Sequence, residues 1–310
     1  MVSLVPEKPP ISAAATESVF LDWVRQRQAA QLQQLPHFGA APGDDLAVFK
    51  WPGGLVLLGV DPVLDGVHID LDRHGPAAAG RKAMNRNLSD VAAMAGHPVA
   101  ATLSLVVPRS MTMADVQEVY IGTQTAGAAA GCPIVGVDFA SWDGPLVVTV
   151  GILGRADRPL LRGGARPGQT LFVTGPLGGS ILGRHLSFEP RLAIGQRIAR
   201  EFSASAMIDI SDGLSRDLPR LLGYSLGAVV DAAAVPIHAD ARALAAQTGR
   251  DPLWHALHDG EDYELLFAAD ATKLPDCTAI GRVEAEHGVR LRNGGGTAPL
   301  RQEGWEHRLE

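Results

Sequence analysis

The stretch Ala206-Met207-Ile208-Asp209-Ile210-Ser211-Asp212-Gly213-Leu214 contains the pattern around which the rest of the chain is organised. A short apolar run, typical of a buried strand, leads into two aspartates, Asp209 and Asp212. Ser211 and Asp212 are residue types that cap a helix N-terminus, and leucines follow them at helical spacing. The stretch therefore predicts a strand, a tight turn and a helix, with both carboxylates close to the turn.

The same combination of an apolar run and an aspartate recurs elsewhere in the chain. The further sites are Gly43-Asp44-Asp45 before Leu46–Phe49, Leu55–Val60 before Asp61, Asn87-Leu88-Ser89-Asp90 within a helical pattern, and Pro133–Val137 before Asp138. A carboxylate on a buried face needs a charge partner or a metal ion. We therefore predict one shared acidic cluster that binds Mg²⁺, which prefers oxygen ligands and bridges phosphates.

Two basic residues are candidates for direct contacts with a phosphate that such metal ions would bring in. Arg162 offers a bidentate guanidinium, and His68 lies in a predicted loop after Asp61. A hydrolase with paired carboxylates at Asp44-Asp45 or at Asp209 and Asp212 is the competing interpretation, but it leaves the other acidic sites unexplained.

The composition is that of an ordinary globular protein and excludes some classes of function. The chain has 310 residues, 46% of them hydrophobic and 20% charged, with a formal net charge of -7. This acidic balance argues against broad nucleic-acid binding. Cys132 and Cys277 suggest neither a metal-ligand pair nor a disulfide framework. Without a signal-peptide pattern, or an apolar run near the roughly 18 residues of a membrane span, we expect a cytoplasmic protein that uses no membrane.

Strands and helices alternate along the chain, and pairs of strands interrupt the alternation. This order favours a layered α/β (α+β) fold with mixed sheets over a doubly wound one. The Arg-, Gly- and Pro-rich segment 155–168 is the best domain boundary. We therefore expect a loose arm at 1–15, an N-terminal domain at 16–157, and a C-terminal domain at 158–310.

Three local expectations concern chain breaks near the acidic sites. Asp61-Pro62 should end its strand, since proline cannot donate to a ladder. The segment Phe139–Gly144 should be a loop after the strand that ends at Asp138. Gly175-Pro176-Leu177-Gly178-Gly179-Ser180 lacks the lysine of a phosphate-binding loop, so we interpret it as a tight turn that opens a helix.

The acidic blocks, taken in order, resemble the thiamine-monophosphate kinase family, of the superfamily that includes aminoimidazole-ribotide synthetase and selenophosphate synthetase. The resemblance covers roughly residues 37–307, and its blocks are individually specific. They are Gly43-Asp44-Asp45, Asp61-x-x-x-Asp65-Gly66-Val67-His68, Asn87-Leu88-Ser89-Asp90-Val91-Ala92-Ala93-Met94, Ile208-Asp209-Ile210-Ser211-Asp212-Gly213-Leu214, and Gly260-Glu261-Asp262-Tyr263-Glu264-Leu265-Leu266-Phe267.

The resemblance implies an enzyme, a phosphotransferase that uses ATP to convert thiamine monophosphate to thiamine diphosphate. It also implies that the N-terminal domain binds ATP and metal, that the C-terminal domain completes the substrate site, and that a homodimer forms through the sheet of the N-terminal domain. By position, the magnesium ligands are Asp45, Val60, Asp61, Asp90, Asp138, Asp209 and Asp212, and these aspartates are the catalytic residues. ATP contacts fall on Val137, Asp138, Arg162 and Ser211, and thiamine phosphate contacts fall on His68, Glu261 and Trp305, with Trp305 stacking on the heterocycle.

Two segments depart from the family pattern. Gly136-Val137-Asp138-Phe139 stands where the family has Gly-Gly-Asp-Thr, and Gly59-Val60-Asp61 stands where it has Ser/Thr-Thr-Asp. Because hydroxyls are missing at these positions while the aspartates remain, we expect a slow kinase or one with weak ATP affinity. The open alternatives are another ATP-using enzyme of the superfamily acting on a different phosphorylated small molecule, and a binding paralogue without turnover.

Overall fold

The computed structural model describes residues 16–32 and 43–307, with the side chains of 27–32 left out. The predicted arm at 1–15 lies outside the described residues. The helices are α1 (Glu17–Leu32), α2 (Leu71–His74), α3 (Pro76–Ala93), α4 (Met113–Ala129), α5 (Leu192–Glu201), α6 (Leu214–Leu221), α7 (Ala239–Thr248) and α8 (Pro252–His258). The strands are β1 (Ala47–Trp51), β2 (Gly54–Leu64), β3 (His97–Pro108), β4 (Ile134–Trp142), β5 (Val147–Ala156), β6 (Thr170–Val173), β7 (Ala204–Asp209), β8 (Gly227–Asp231), β9 (Leu265–Ala269), β10 (Thr278–Glu284), β11 (Gly288–Asn293) and β12 (Gly296–Pro299).

The N-terminal domain is a five-stranded mixed sheet in the order β1-β2-β5-β3-β4. Its strands pair antiparallel, except that β3 and β4 are parallel. Helix α3 packs on one face of this sheet, and α4 packs closely against α3. A Cβ on Gly122 of α4 would lie 2.0 Å from the carbonyl oxygen of Ala77 on α3, so the small residues of α4 permit this approach.

Strand β2 runs through Asp61-Pro62 to Leu64, so the expected break at this proline is wrong. Residues up to Leu58 pair with β1, whereas Pro62 pairs only with Thr149 of β5 among the described residues. A proline is tolerated where a strand is hydrogen-bonded on one side only, because its missing N–H has no partner to lose.

The expected loop at Phe139–Gly144 is also wrong over most of its length. Strand β4 continues to Trp142, and Phe139 pairs in parallel with Leu105 of β3. The aromatic residues Phe139 and Trp142 fit the pleated edge of a sheet, which the sequence pattern after Asp138 did not reveal.

The C-terminal domain is a seven-stranded mixed sheet in the order β12-β11-β8-β10-β6-β9-β7. One face buries apolar side chains with α6 and α8, including Leu218 and Leu257. The other face packs Phe172 and Met207 against α5 and against Ala92 at the end of α3. Two mixed sheets in two domains confirm the predicted fold class.

After β6, the glycine-rich turn leads to two short 3₁₀ turns, Ser180–Leu182 and Arg184–Leu186, instead of the expected helix. Gly178, Gly179 and Gly183 all have positive φ, which an α-helix does not allow. The backbone N–H of Gly178 instead donates to Asp262 Oδ1 at 2.8 Å, so a protein carboxylate takes the place that a phosphate would have in a phosphate-binding loop.

Helix α3 lies between the two domains and is the element that brings their site residues together. Its polar residues Lys82, Asn87 and Ser89 are fully buried, while its apolar side packs on the N-terminal sheet. Within residues 16–32 and 43–307, none of the helices has the length and apolar character needed to cross a membrane.

Candidate active site

Three carboxylates from three separate elements converge between the domains. Asp45 lies just before β1, Asp90 lies near the end of α3, and Asp209 is the last residue of β7. One oxygen atom of each carboxylate lies within 4.8 Å of an oxygen atom of the other two. Ser89 Oγ donates to Asp209 Oδ2 at 2.6 Å, and Asp45 Oδ2 is buried without a hydrogen-bond partner among the described residues. This carboxylate cluster therefore has oxygen ligands to offer to a cation.

Burial and mutual repulsion favour the protonated forms of Asp44, Asp90 and Asp209. Burial, followed by the neighbouring charge of Asp45, raises the pKa of Asp209 to about 7. The pKa of Asp44 is also raised to about 7, by burial and by Asp45. Burial and the charge of Asp61 raise the pKa of Asp90 well above its ordinary value. A divalent cation would relieve this crowding by replacing the protons.

Arg162 borders the carboxylate cluster. Its guanidinium forms an ion pair with Asp45, and its backbone N–H donates to Asp44 Oδ2 at 2.9 Å. The buried Nε has no hydrogen-bond partner in the described part of the chain. The arginine predicted to contact ATP thus lies beside the predicted metal ligands.

Asp61 and Asp212 flank the carboxylate cluster, and each is already paired with an arginine. Arg86 Nη2 lies 3.1 Å from Asp61 Oδ2, and Arg220 forms an ion pair with Asp212. Burial and the charge of Asp212 contribute to a raised pKa of Asp61, whereas the guanidinium of Arg86 opposes the rise.

Asp138 is not brought together with the other predicted ligands. The strand register aligns Asp61 with Val150 and Leu103, on the face that α3 covers. The same register aligns Asp138 with Ser104, whose side chain lies on the opposite face. The predicted ligand Val60 is also on that open face, with 64% of its surface exposed, whereas Val137 shares the face of Leu103 at the β4 edge.

The three predicted substrate residues line one cavity of about 320 Å³. This size lies within the range of about 300–1,000 Å³ that is usual for small-molecule sites. His68, Glu261 and Trp305 contribute to the lining, together with Ser211, which was predicted to contact ATP. Further lining residues are Glu17, Val67, Arg86, Ser180, Ile181, Asp212, Asp259, Tyr263 and His307.

A buried lysine that none of the sequence motifs indicated contacts two of these substrate residues. Lys82 is fully buried, and its Nζ lies 2.7 Å from Glu261 Oε1 and 2.6 Å from His185 Nδ1. It also donates to the backbone carbonyl of His68. The acceptors of this charged lysine are therefore the Glu261 carboxylate and the His68 carbonyl. The recurrence of Lys82, Arg86 and Asp90 every four residues was a signal that one helix side is polar.

Glu261 is ionised and His68 is neutral at neutral pH. Although burial opposes ionisation, the hydrogen bond from His185 and the charge of Lys82 lower the pKa of Glu261 to about 2. Burial, then the charge of Arg86, lowers the pKa of His68 to about 3. Because His68 Nδ1 accepts from the backbone N–H of Leu64 at 3.1 Å, the remaining proton is on Nε2.

The loop that carries Glu261 is held against the strand-to-helix turn after β7. Glu261 donates its N–H to the carbonyl of Ser211 at 2.7 Å, and both Glu261 and Tyr263 have a φ of 52°. Gly260 lies so close that a Cβ there would be 2.6 Å from the Ser211 carbonyl oxygen. Left-handed backbone at non-glycine residues is uncommon and is often found at functional sites.

Trp305 reaches the cavity from the C-terminal segment. The backbone N–H of Trp305 donates to the carbonyl of Asp212 at 3.0 Å. The next residue, Glu306, forms an ion pair with Arg216 Nη2 at 2.9 Å. Half of the surface of Trp305 remains exposed, which leaves the indole available for stacking.

Comparison with known proteins agrees with this fold. The family "AIR synthase related protein" matches with its N-terminal domain at residues 43–156 and its C-terminal domain at residues 166–293. A thiamine-monophosphate kinase of Rhodopirellula baltica is 40% identical over 260 residues, which are 81% of this chain and 81% of that protein. One of Aquifex aeolicus is 33% identical over 288 residues, covering 86% of this chain and 92% of the relative.

A solved structure described as "AaThiL complexed with AMPPCP and TMP" has the same fold, with a TM-score of 0.84 and 28% identity. The match covers 98% of this chain and 100% of that one. Two domains of the AIR synthase related type, with acidic side chains gathered between them, define the class of protein. Within this class, the chain belongs to the thiamine-monophosphate kinase family.

Proposed function

We propose that this chain transfers the γ-phosphoryl group of ATP to the phosphate of thiamine monophosphate, forming thiamine diphosphate and ADP. The observation that carries the proposal is that one cavity contains His68, Glu261 and Trp305 and shares a wall with the acidic residues. Arg86 lines this cavity and is ion-paired with Asp61. A phosphate acceptor in the cavity would thus lie next to groups suited to bind a metal–nucleotide complex.

Mg²⁺ fits the carboxylate cluster, because Asp45, Asp90 and Asp209 offer the oxygen ligands that it prefers and Asp45 Oδ2 is otherwise unsatisfied. We propose that these three side chains hold magnesium, with Asp61 and Asp212 flanking them. When bound, the metal would neutralise the charge of the ATP phosphates and help to orient them. The guanidinium of Arg162 is ion-paired with Asp45, and this position beside the proposed metal ligands supports a role in contacting the nucleotide phosphates.

The cavity suits a molecule with an aromatic cation and an anionic end, and thiamine monophosphate is such a molecule. Trp305 offers an exposed ring face for stacking on a heterocycle. The neutral His68 has an Nε2 proton to donate, and the ionised Glu261 favours a positive charge nearby.

Transfer to a phosphate monoester needs no general base, because the attacking oxygen is already ionised at neutral pH. Catalysis then depends on in-line placement of the two substrates and on neutralisation of their charge. The hydrogen bonds that hold Glu261 and His68 in fixed orientations are suited to this task.

We further propose that the chain acts as a homodimer that covers the open face of the N-terminal sheet. Leu58, Val60 and Leu153 are exposed on this face, and Asp138 lies on the same side. A second copy that covered the apolar side chains would place Asp138 at the interface, next to its partner.

The direct test is to incubate the purified protein with ATP, magnesium and thiamine monophosphate and to measure thiamine diphosphate and ADP. We expect both products in equal amounts, and we expect EDTA to abolish nucleotide binding until magnesium is restored. ADP formation only with another phosphorylated small molecule would identify a different acceptor. Tight nucleotide binding without any product would identify a binding paralogue, and nucleotide binding indifferent to EDTA would exclude the metal cluster.

A further inference from the structure

Arg86 occupies a position between the acidic residues and the cavity that neither the sequence motifs nor the family relationship assigns to any role. It is on α3, one helical turn before Asp90 and one turn after Lys82. Its side chain is 16% exposed and lines the cavity. Its positive charge counteracts the raised pKa of Asp61 and lowers the pKa of His68. The carboxylate of Glu261 in turn raises the pKa of Arg86.

The guanidinium of Arg86 has more donors than partners. Nη2 pairs with Asp61 Oδ2 at 3.1 Å, and Nη1 donates to the carbonyl of Pro62 at 3.1 Å. Nε is buried and has no hydrogen-bond partner among the described residues. Since a guanidinium has five N–H groups and these contacts use two, one N–H on each of Nη1 and Nη2 is left without a partner among the described residues, besides the buried Nε–H.

Arg86 is also the only lysine or arginine among the described residues that line the cavity. The other ionisable lining groups include Glu17, Asp212, Asp259 and Glu261, which are acidic. The pKa of His68 is lowered to about 3, so this histidine adds no positive charge at neutral pH. Among the lining side chains, a ligand with one phosphate and one cationic ring therefore finds one permanent positive charge for its phosphate, at Arg86, and acidic groups for its ring.

We propose that Arg86 is the residue that binds the acceptor phosphate and selects a phosphorylated ligand over its unphosphorylated form. This inference rests on the proposed function, because it concerns the same cavity and takes thiamine monophosphate as the ligand. The fork of the guanidinium holds the phosphate oxygens, and its contact with Asp61 keeps the fork at the wall that the cavity shares with the acidic residues.

The test measures the dissociation constants of thiamine monophosphate and of thiamine by calorimetry, with magnesium present and nucleotide absent. The wild-type protein is expected to prefer the phosphorylated ligand. Arg86→Met should reduce this preference by about 10- to 100-fold, the scale of one or two hydrogen bonds to a charged group. Arg86→Lys keeps the charge but loses the fork, so a reduction of about 3- to 10-fold is expected. Arg81→Met, on the exposed side of the same helix, is the matched control and should leave the preference unchanged.

The ratio of the two constants separates phosphate recognition from a structural role, because a general loss of packing weakens both ligands together. A preference that survives in both Arg86 variants overturns the inference and leaves the proposed function intact. A wild-type protein that binds the two ligands equally overturns the proposed acceptor and the inference with it. If Arg86→Met does not fold, Arg86→Lys decides alone, and an unchanged preference there counts against the role.

Discussion

At the scale of single residues, the site is built from polar side chains that are buried because other polar side chains meet them. Ser89 supports Asp209, and Lys82 supports Glu261. Each such group costs free energy when it is buried alone, and most of that cost is offset by its partner. Asp90 is the exception, because its near neighbours include the carboxylates of Asp45 and Asp209.

Replacing Asp90 by asparagine should therefore separate activity from stability. Asp90→Asn removes a proposed metal ligand and should lower turnover by at least about 100-fold. Even the mutation of a residue that only supports a metal ligand commonly lowers metal affinity or activity by about 10- to 100-fold. The same change removes like-charge repulsion, so the melting temperature of the metal-free protein at neutral pH should rise. Enzyme assays and thermal unfolding in EDTA check the two effects. Substantial remaining activity would show that Asp90 is structural.

Replacing the buried Lys82 should affect both substrate affinity and stability. Lys82→Met leaves the buried carboxylate of Glu261 without its main cation, which should lower the free energy of unfolding by about 3 kcal/mol, the scale for breaking a buried ion pair. It should also raise KM for thiamine monophosphate while the affinity for ATP changes little. Adding Glu261→Gln should restore much of the stability but not the affinity. Equal KM values in wild type and Lys82→Met would contradict a positioning role.

At the scale of elements, α3 and β4 account for most of what distinguishes this site. Helix α3 packs with its apolar side on the N-terminal sheet and presents its polar side to the C-terminal domain, so one helix serves both domains. Strand β4 continues where a loop was expected, and it places Val137 and Phe139 at the sheet edge with 56% and 50% of their surfaces exposed.

The departures on β4 predict a slow reaction that a double substitution should improve. Losing hydroxyls that help to place nucleotide or metal costs about 1 kcal/mol each, or roughly a factor of 5–10 in rate. Val137→Gly with Phe139→Thr should therefore raise kcat/KM for ATP. No change, or a fall, would mean that the extended strand has formed its own nucleotide contacts, and the assignment of Val137 to ATP binding would then be dropped.

At the scale of the whole molecule, one face of the N-terminal sheet is left without a covering layer among the described residues. The nearly continuous apolar character of β3 and β5 predicts burial on both faces, yet a single chain covers only one. Asp138 lies on the open face, away from the carboxylate cluster of its own chain.

Hybrid dimers should reveal whether Asp138 serves the site of a partner chain. Asp90→Asn and Asp138→Asn should each be inactive alone. Mixed and reassembled, they should recover up to about a quarter of wild-type activity, because half of the dimers are hybrids with one intact site. Light scattering should give twice the mass of one chain. A fully active monomer, or no recovery on mixing, would contradict this arrangement.

The crowded carboxylates make the stability of the metal-free protein depend on pH. In the folded state the pKa values of Asp44 and Asp209 are about 7, whereas an unfolded aspartate titrates near about 3.9. Between these values the folded state holds more protons, so stability should fall as pH rises from about 4 to 7. Melting temperatures in EDTA should therefore be lower at about pH 8 than at about pH 5, and magnesium should remove most of the difference. A rise over this range, or no effect of magnesium, would refute the proposed cluster.

Much of the fold and part of the site can be predicted from the sequence alone. Periodicity predicts α3, α4 and most strands, because side-chain spacing reflects the local geometry of each element. Motifs of a few residues likewise mark most of the aspartates, His68 and Glu261, and the family resemblance that these motifs carry adds Asp138 and Trp305. Local patterns failed at Pro62 and after Asp138, where pairing with a neighbouring strand decided the conformation.

Only the tertiary structure decided which of these residues meet. It brings Asp45, Asp90 and Asp209 within 4.8 Å, and it places Asp138 on the other face of the sheet. It also reveals Lys82 and Arg86, whose roles depend on partners far away in the chain. The physical reason is that propensity and periodicity act over a few residues, whereas the burial and charge of a side chain depend on every element that packs around it.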